Sequence, residues 1–425
     1  MQKNRLKFDV DNGKPESYNV INITLVIVMN YLLRNTKEDY MADLKKDLTF
    51  FEATSIVAGY GIGGGVMAVP YLASTNGVAT TALIFVVAFA VSVLLHLMIA
   101  EMSCRNTESN QLLEILGKYV FRGFFGKIGM WIFFGAMTLT MFANLAAYVA
   151  GAGEIIESLT GMPIWIADVL FFIIAAGVIF FGLKIMGVCE KIAVVGILII
   201  MAVLIVATLT VQLNPLPVGP FVGSKAAALF GMIMFSFSAF FSVPQAAVGL
   251  SRDGKKVAKA VIAGIGINML IIIAVSLCTL AASNPVTEVA IIGWSKGIGS
   301  WANLLGSIFV LLAMVTSYWA IALAFASIIV DRLKINFTIA CVVATIPSFL
   351  IAVIGFTGFL GFMRLAGGGI AILVAVLVIP AYLLDRKAYA KIDKGWSLGK
   401  LGSIPVAILV FVGYVLMLYG SLVTV

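Results

Sequence analysis

The sequence predicts an all-α integral membrane protein whose eleven helices cross the bilayer. Three observations carry that expectation. Of 425 residues, 62% are apolar and only 11% are charged, against about 25% charged in soluble domains. Apolar runs recur along the whole length, many reaching the roughly 20 residues that a helix needs to span hydrocarbon. Twenty-five of the 28 Lys and Arg residues fall in segments that would share one side, leaving only Lys225, Lys296 and Arg364 for the other. That bias orients a multi-pass protein of the cell membrane, N-terminus cytoplasmic and C-terminus extracellular. A barrel would show short alternating segments, and the sequence has none. The net charge of +8 resides in short loops between spans, so it is no nucleic-acid footprint, and the partners it leaves are lipid and a small molecule.

Residues 1–47 form a polar N-terminal region of mixed charge. Its one apolar run, Val20 to Leu33, is too short to span and lacks a cleavage signature. Residues 48–425 form the membrane domain, with spans near 49–73, 78–101, 126–151, 163–183, 187–212, 226–250, 257–282, 301–330, 335–356, 363–384 and 403–424. Between the second and third, Leu112, Leu113, Leu116 and Val120 share one face of an amphipathic stretch that lies in the interface. Cys104, Cys189, Cys278 and Cys341 have no metal-ligand spacing.

The first span organises the rest. It reads VAGYGIGGGVMAVPY, with Gly59, Gly61, Gly63, Gly64 and Gly65 in seven residues and Pro70 after them. Each Gly costs a helix interior about 1 kcal/mol and Pro about 3 relative to Ala, so this span is expected to break near mid-depth. A broken helix is tolerated there only against protein or a watery cavity, and it points to a transporter's binding site. Close packing through small residues is the other explanation. A dinucleotide fingerprint, which Gly59, Gly61 and Gly64 would fit, needs a preceding strand and a downstream acid that are missing.

The topology makes spans 1–5 and 6–10 inverted copies, so the sixth should break too. It reads LFGMIMFSFSAFFSVPQAAVGL, and Ser238 precedes Pro244 by six residues as Gly64 precedes Pro70. The expected architecture is a 5+5 inverted repeat, with repeat one over 48–212 and repeat two over 226–384, plus an extra helix at 403–424. In span 8, Ala313, Thr316 and Ser317 share one helical face.

GYGIGGGVMAVPY resembles the first-helix motif of the amino acid–polyamine–organocation superfamily. FSFSAFFSVPQAAVGLSRDGKKVAKAV resembles the sixth helix and following loop of its amino acid/auxin permease and aromatic amino acid permease branches. The resemblance implies a leucine-transporter-like fold and secondary amino acid transport without enzymatic chemistry. It implies substrate contacts from Gly61, Gly63, Gly64 and Gly65, whose N–H groups at a half-helix start would receive a carboxylate, and from Ser236, Ser238 and Ala239 in the sixth span. It further implies a sodium site built from the carbonyls of Gly59 and Ile62 with Ala313, Thr316 and Ser317. Hard oxygen ligands suit sodium, which is the expected coupling ion; no organic cofactor is expected.

No acid stands at mid-depth, since Glu52, Glu101, Asp168 and Glu190 lie toward span ends, so a neutral, branched or aromatic amino acid is the expected substrate. His96 and Glu101 are expected near the solvated end of span 2 in a structural role. Proton-coupled symport or exchange, and a non-transporting receptor on the same scaffold, are the alternatives. Oligomeric state is left open.

Overall fold

The computed structural model describes residues 47–108, 112–121, 123–287, 289–355, 357–390 and 396–423. The apolar run at Val20 to Leu33 lies outside them. The described chain is helical throughout: α1 (Phe50–Ser74), α2 (Val78–Arg105), α3 (Leu112–Val120), α4 (Gly123–Thr160), α5 (Ile164–Ile179), α6 (Leu183–Thr208), α7 (Gly223–Ser236) and α8 (Ser242–Gly249). It continues with α9 (Gly254–Ala282), α10 (Ala290–Ile298), α11 (Ser300–Leu333), α12 (Phe337–Ile354), α13 (Phe359–Leu373), a π-helical stretch Val374–Val378, α14 (Ile379–Tyr389) and α15 (Ile404–Leu422). Among the described residues nine helices are long and apolar enough to cross a membrane, while α5 and α7 are shorter apolar helices. Those two stand where the sequence puts the fourth span and the first half of the sixth. Short helix α10, which the sequence did not announce, docks Trp294 through its indole N–H on the Thr208 hydroxyl at 2.7 Å.

Helix α1 is the axis of the bundle. It starts at a capping box in which Thr49 and Glu52 satisfy each other's backbone N–H groups at 2.9 and 3.2 Å. From there 94% of its most apolar window is buried, against α6, α7, α9 and α11. Outer helices such as α12 and α15 are only one-third buried over theirs, so their exposed Leu, Ile and Val face hydrocarbon.

The two expected breaks come out differently. The sixth span is broken: α7 stops at Ser236 and α8 starts at Ser242. The first is not, for α1 runs as one helix through all five glycines. The physical reason is packing. A Cβ at Gly59 would collide with the Glu190 carboxyl, at Gly61 with Asn268 and the Ser236 carbonyl, and at Gly65 with the Ser236 side chain. At Gly63 it would lie 2.6 Å from the Ser317 hydroxyl, and at Gly64 2.7 Å from Met363 Sδ. The glycines thus admit neighbours on every side, and in a water-free interior a helical backbone keeps its own hydrogen bonds. The propensity argument, calibrated in water, overestimated their power to break this helix.

Candidate functional site

The broken sixth span supplies the free backbone. Its orphaned groups are met by side chains from two other helices. The Ser236 carbonyl accepts from Asn268 Nδ2 of α9 at 2.6 Å, and the Ala239 N–H donates to His96 Nε2 of α2 at 2.8 Å. The other ring nitrogen of His96 lies 2.6 Å from the Ser92 carbonyl, so His96 carries its proton on Nδ1 and presents Nε2 as a bare acceptor. Phe237 packs edge-on against Phe89, and Phe240 lies between Tyr60, His96 and Phe241. Aromatic rings therefore wall the break.

The break faces the glycine side of α1. Gly61 and Gly65 approach Ser236 so closely that no larger residue fits, with Asn268 lying over Gly61. Of the residues the sequence nominated for substrate, Gly61, Gly65 and Ser236 come together here. Gly63 and Gly64 point elsewhere, Gly63 to α11 and Gly64 to Met363 and Phe235. Ser238 and Ala239 lie within the break, on the His96 side. The Ser236 and Ser238 hydroxyls bond back to the Met232 and Met234 carbonyls at 2.6 and 3.1 Å, the usual habit of serine in an apolar helix.

The cation candidates gather on another face of α1. The Ser317 hydroxyl donates to the Gly59 carbonyl at 2.8 Å and accepts from the Gly63 N–H at 3.0 Å. Thr316 Oγ1 donates to the Ala313 carbonyl at 3.0 Å, and that same carbonyl lies over Gly63. Ile62, between them, is fully buried. These are hard oxygen donors without formal charge, the donor type a sodium ion takes. Among the described residues no group of three or more His, Cys, Asp or Glu side chains could hold a transition metal.

Four residues exceed what the sequence suggested. Asn268 bridges the break with Nδ2, while its Oδ1 stays unpaired and buried; a lone Asn in an apolar span was the available signal. Tyr148 of α4 closes the glycine side, its ring 2.7 Å from where a Gly63 Cβ would stand, and nothing in the sequence pointed to it. His96 is fully buried and holds the break rather than facing a solvated end. Glu190 is likewise fully buried, against Gly59, although it stands near the start of its helix. By contrast Glu101 does lie in a polar layer at the bundle's end, with Arg105, Tyr382 and Ser397.

Comparison with known proteins agrees with this geometry. The structure resembles that of MhsT in complex with L-phenylalanine, with a TM-score of 0.62 at 13% identity, covering 88% of this chain and 99% of that one. It is similar to Mhp1, a nucleobase-cation-symport-1 family transporter in a closed conformation with bromovinylhydantoin bound, with a TM-score of 0.61 at 16% identity over 88% and 91% of the two chains. A manganese transporter from Eremococcus coleocola follows at a TM-score of 0.60 and 13% identity, over 92% and 87%. No curated protein matches the chain. At these identities the likeness shows the fold, which is leucine-transporter-like. The sequence pattern of the tryptophan/tyrosine permease family matches residues 46–419, nearly the whole described chain. The chain belongs to the tryptophan/tyrosine permease family, which makes it a secondary transporter of amino acids rather than an enzyme.

Proposed function

We propose that this protein imports a neutral amino acid with an aromatic or branched side chain by alternating access, driven by sodium. The observation that carries the proposal is the meeting of Gly61 and Gly65 with the broken sixth span at Ser236. There the unwound backbone of the sixth span lies beside the glycine side of α1, and its polar groups, now held by Asn268 and His96, are ones an α-amino acid's ammonium and carboxylate would take as partners. None of the nearest neighbours of Gly61, Gly63, Gly64 or Gly65 is acidic, which favours a zwitterion over a cationic substrate. Phe237, Phe240 and Tyr60 offer an apolar wall for the side chain, and the family's name and the phenylalanine bound to MhsT support the aromatic choice.

The carboxylate role given to Gly63, Gly64 and Gly65 requires α1 to open at the rung between Gly59 and Gly63. The Ser317 hydroxyl already stands in that rung. Sodium entering among Gly59, Ile62, Ala313, Thr316 and Ser317 would replace the hydroxyl's bonds and hold the rung apart, linking cation and substrate through one short piece of backbone. The basic residues in the first turns of α6 and after α8, Lys184, Lys191, Arg252, Lys255 and Lys256, support reading that end of the bundle as cytoplasmic.

Uptake of labelled tryptophan, phenylalanine and leucine into proteoliposomes under an inward sodium gradient tests the proposal. Accumulation that collapses with the gradient supports it. Binding without uptake or exchange would make the protein a receptor.

A further inference from the structure

Helices α2 and α9 part along one seam and leave a cavity of about 260 Å³ between them. Each wall is one helical face. On α2, Val78, Thr81, Phe85 and Val86 stand at i, i+3, i+7 and i+8. On α9, Met269, Ile273, Ser276 and Leu280 stand at i, i+4, i+7 and i+11. The two helices run in opposite directions, because one segment ties the start of α2 to the end of α9. In that segment, 209–222, the Asn214 N–H donates to the Ala281 carbonyl at 2.7 Å, and the Pro217 carbonyl accepts from the Val78 N–H at 2.9 Å. Pro215, Pro217 and Pro220 stiffen it, so it forms a strap over one end of the cavity. The rise from Met269 to Leu280 is about 16 Å at 1.5 Å per residue, which makes the cavity a slot parallel to the helices. Its long side opens where Val86 is 67% and Leu270 62% exposed, on the surface that faces hydrocarbon.

The chemistry of the walls selects what fills the slot. Apart from Thr81 and Ser276, every lining residue is apolar. The Thr81 hydroxyl is committed to the Gly77 carbonyl at 2.8 Å. Ser276 is 3% exposed, and among the described residues its hydroxyl has no partner. A buried water needs about two to four polar partners, and the slot offers one hydroxyl. Left empty, the walls would forgo the dispersion contacts of a packed interior. The open side continues the bilayer-facing surface, so hydrocarbon is what reaches it. The 29 residues of α9 rise about 43 Å, which matches the bilayer with its headgroups, about 40–45 Å. Ser276, about 9 Å from the helix end at Ala282, therefore stands near the edge of the hydrocarbon, at the depth of acyl ester groups.

We propose that the slot between α2 and α9 is a lipid site that takes one acyl chain of a phospholipid. The ester carbonyl accepts from the Ser276 hydroxyl, and the chain runs past Ile273 toward Met269 and Phe85. Such a chain lies one helix away from the break. Phe85 packs on Phe237 with 6.4 Å between ring centroids, and Met269 follows Asn268, which holds the Ser236 carbonyl. Ile272, beside Ile273, reaches within 3.0 Å of where a Gly65 Cβ would stand. The lipid thus backs the wall whose other side is the candidate substrate site. The site depends on α2 and α9 facing hydrocarbon, and not on which substrate or ion is carried.

The test reconstitutes full-length protein in vesicles of phosphatidylethanolamine and phosphatidylglycerol, a small share of the latter carrying a diazirine at one acyl terminus. The protein is extracted into detergent, which strips loosely held lipid, and then irradiated. Adducts mapped by peptide mass spectrometry should fall on α2 and α9 around Phe85 and Met269. They should exceed several-fold those on α12 and α15, which face hydrocarbon as well. Native mass spectrometry should find one phospholipid retained. Ala82→Trp, at an exposed position on the slot's lip, should plug the opening, lose the retained lipid and keep its melting temperature. Leu277→Trp on the opposite lip serves the same purpose should the first variant not fold. Ser276→Ala should retain less lipid than wild type with the slot still open. Adducts spread evenly over the lipid-facing helices overturn the proposal, as do adducts unaltered in a folded Trp variant or retention unaltered in Ser276→Ala. A lipid-free dimer in the native spectrum gives the slot to a second copy and overturns it too. None of these readouts measures uptake, so their failure leaves the transporter reading standing.

Discussion

The hydroxyl of Ser317 stands in a rung of α1: it accepts from the Gly63 N–H at 3.0 Å and donates to the Gly59 carbonyl at 2.8 Å. These two groups are four residues apart, the donor and acceptor of one helical turn. A hydroxyl from another helix thus bonds both groups of that turn, while α1 stays helical through it. The first span is thus whole along its length but already bridged at the point where it would part.

Ser317→Ala should separate coupling from stability. Removing the hydroxyl leaves Gly63 and Gly59 as donor and acceptor of a turn in a continuous helix, so the loss of stability should stay below about 1 kcal/mol, at the low end for a hydrogen bond. Sodium stimulation of uptake should disappear. Thermal unfolding in detergent beside sodium-dependent uptake checks both, and a large destabilisation with intact stimulation would contradict the assignment.

His96→Leu should weaken the fold more than its distance from the substrate suggests. It leaves the Ala239 N–H buried without a partner, which costs about 1–3 kcal/mol. His96→Gln, whose amide oxygen accepts from the same direction, should recover part of the loss. Melting temperatures of the two variants against wild type decide it; equal melting would remove His96 from its role at the break.

At Gly65 a larger residue should be excluded on steric grounds. Valine would drive into Ser236, and overpacking of this kind costs about 1–3 kcal/mol. Gly65→Val should lose uptake outright, while Gly135, with open space beside it, should accept alanine with uptake unchanged. Parallel uptake assays on both variants provide the comparison.

Asn268→Leu should raise the substrate concentration for half-maximal uptake by about tenfold or more, the equivalent of one charged or well-buried hydrogen bond. The Ser236 carbonyl loses its donor, and the unpaired Asn268 Oδ1, free to receive an ammonium, is lost with it. Saturation curves for uptake give the value; an unchanged curve would detach Asn268 from the site.

Much of this architecture was legible because bilayer chemistry is blunt. Apolar run lengths and the placement of Lys and Arg defined the spans, and the serine cluster before Pro244 marked the break that α7 and α8 display. The glycine cluster at residues 59–65 identified the right helix but misled on its shape, since propensity in water says nothing about what packs into the space a missing Cβ leaves. Asn268, Tyr148, Glu190 and His96 were obscure for a common reason. Each acts through a partner 32 or more residues away on another helix, and a single sequence carries periodicity along a helix but not the pairing of faces between helices.

The most direct test of the central claim is accumulation of labelled tryptophan in proteoliposomes, measured with an inward sodium gradient and again with sodium equal on both sides. The account predicts concentrative uptake only with the gradient, lost in Ser317→Ala and in Gly65→Val. Equal uptake in both conditions, or accumulation that survives in Ser317→Ala, would contradict it.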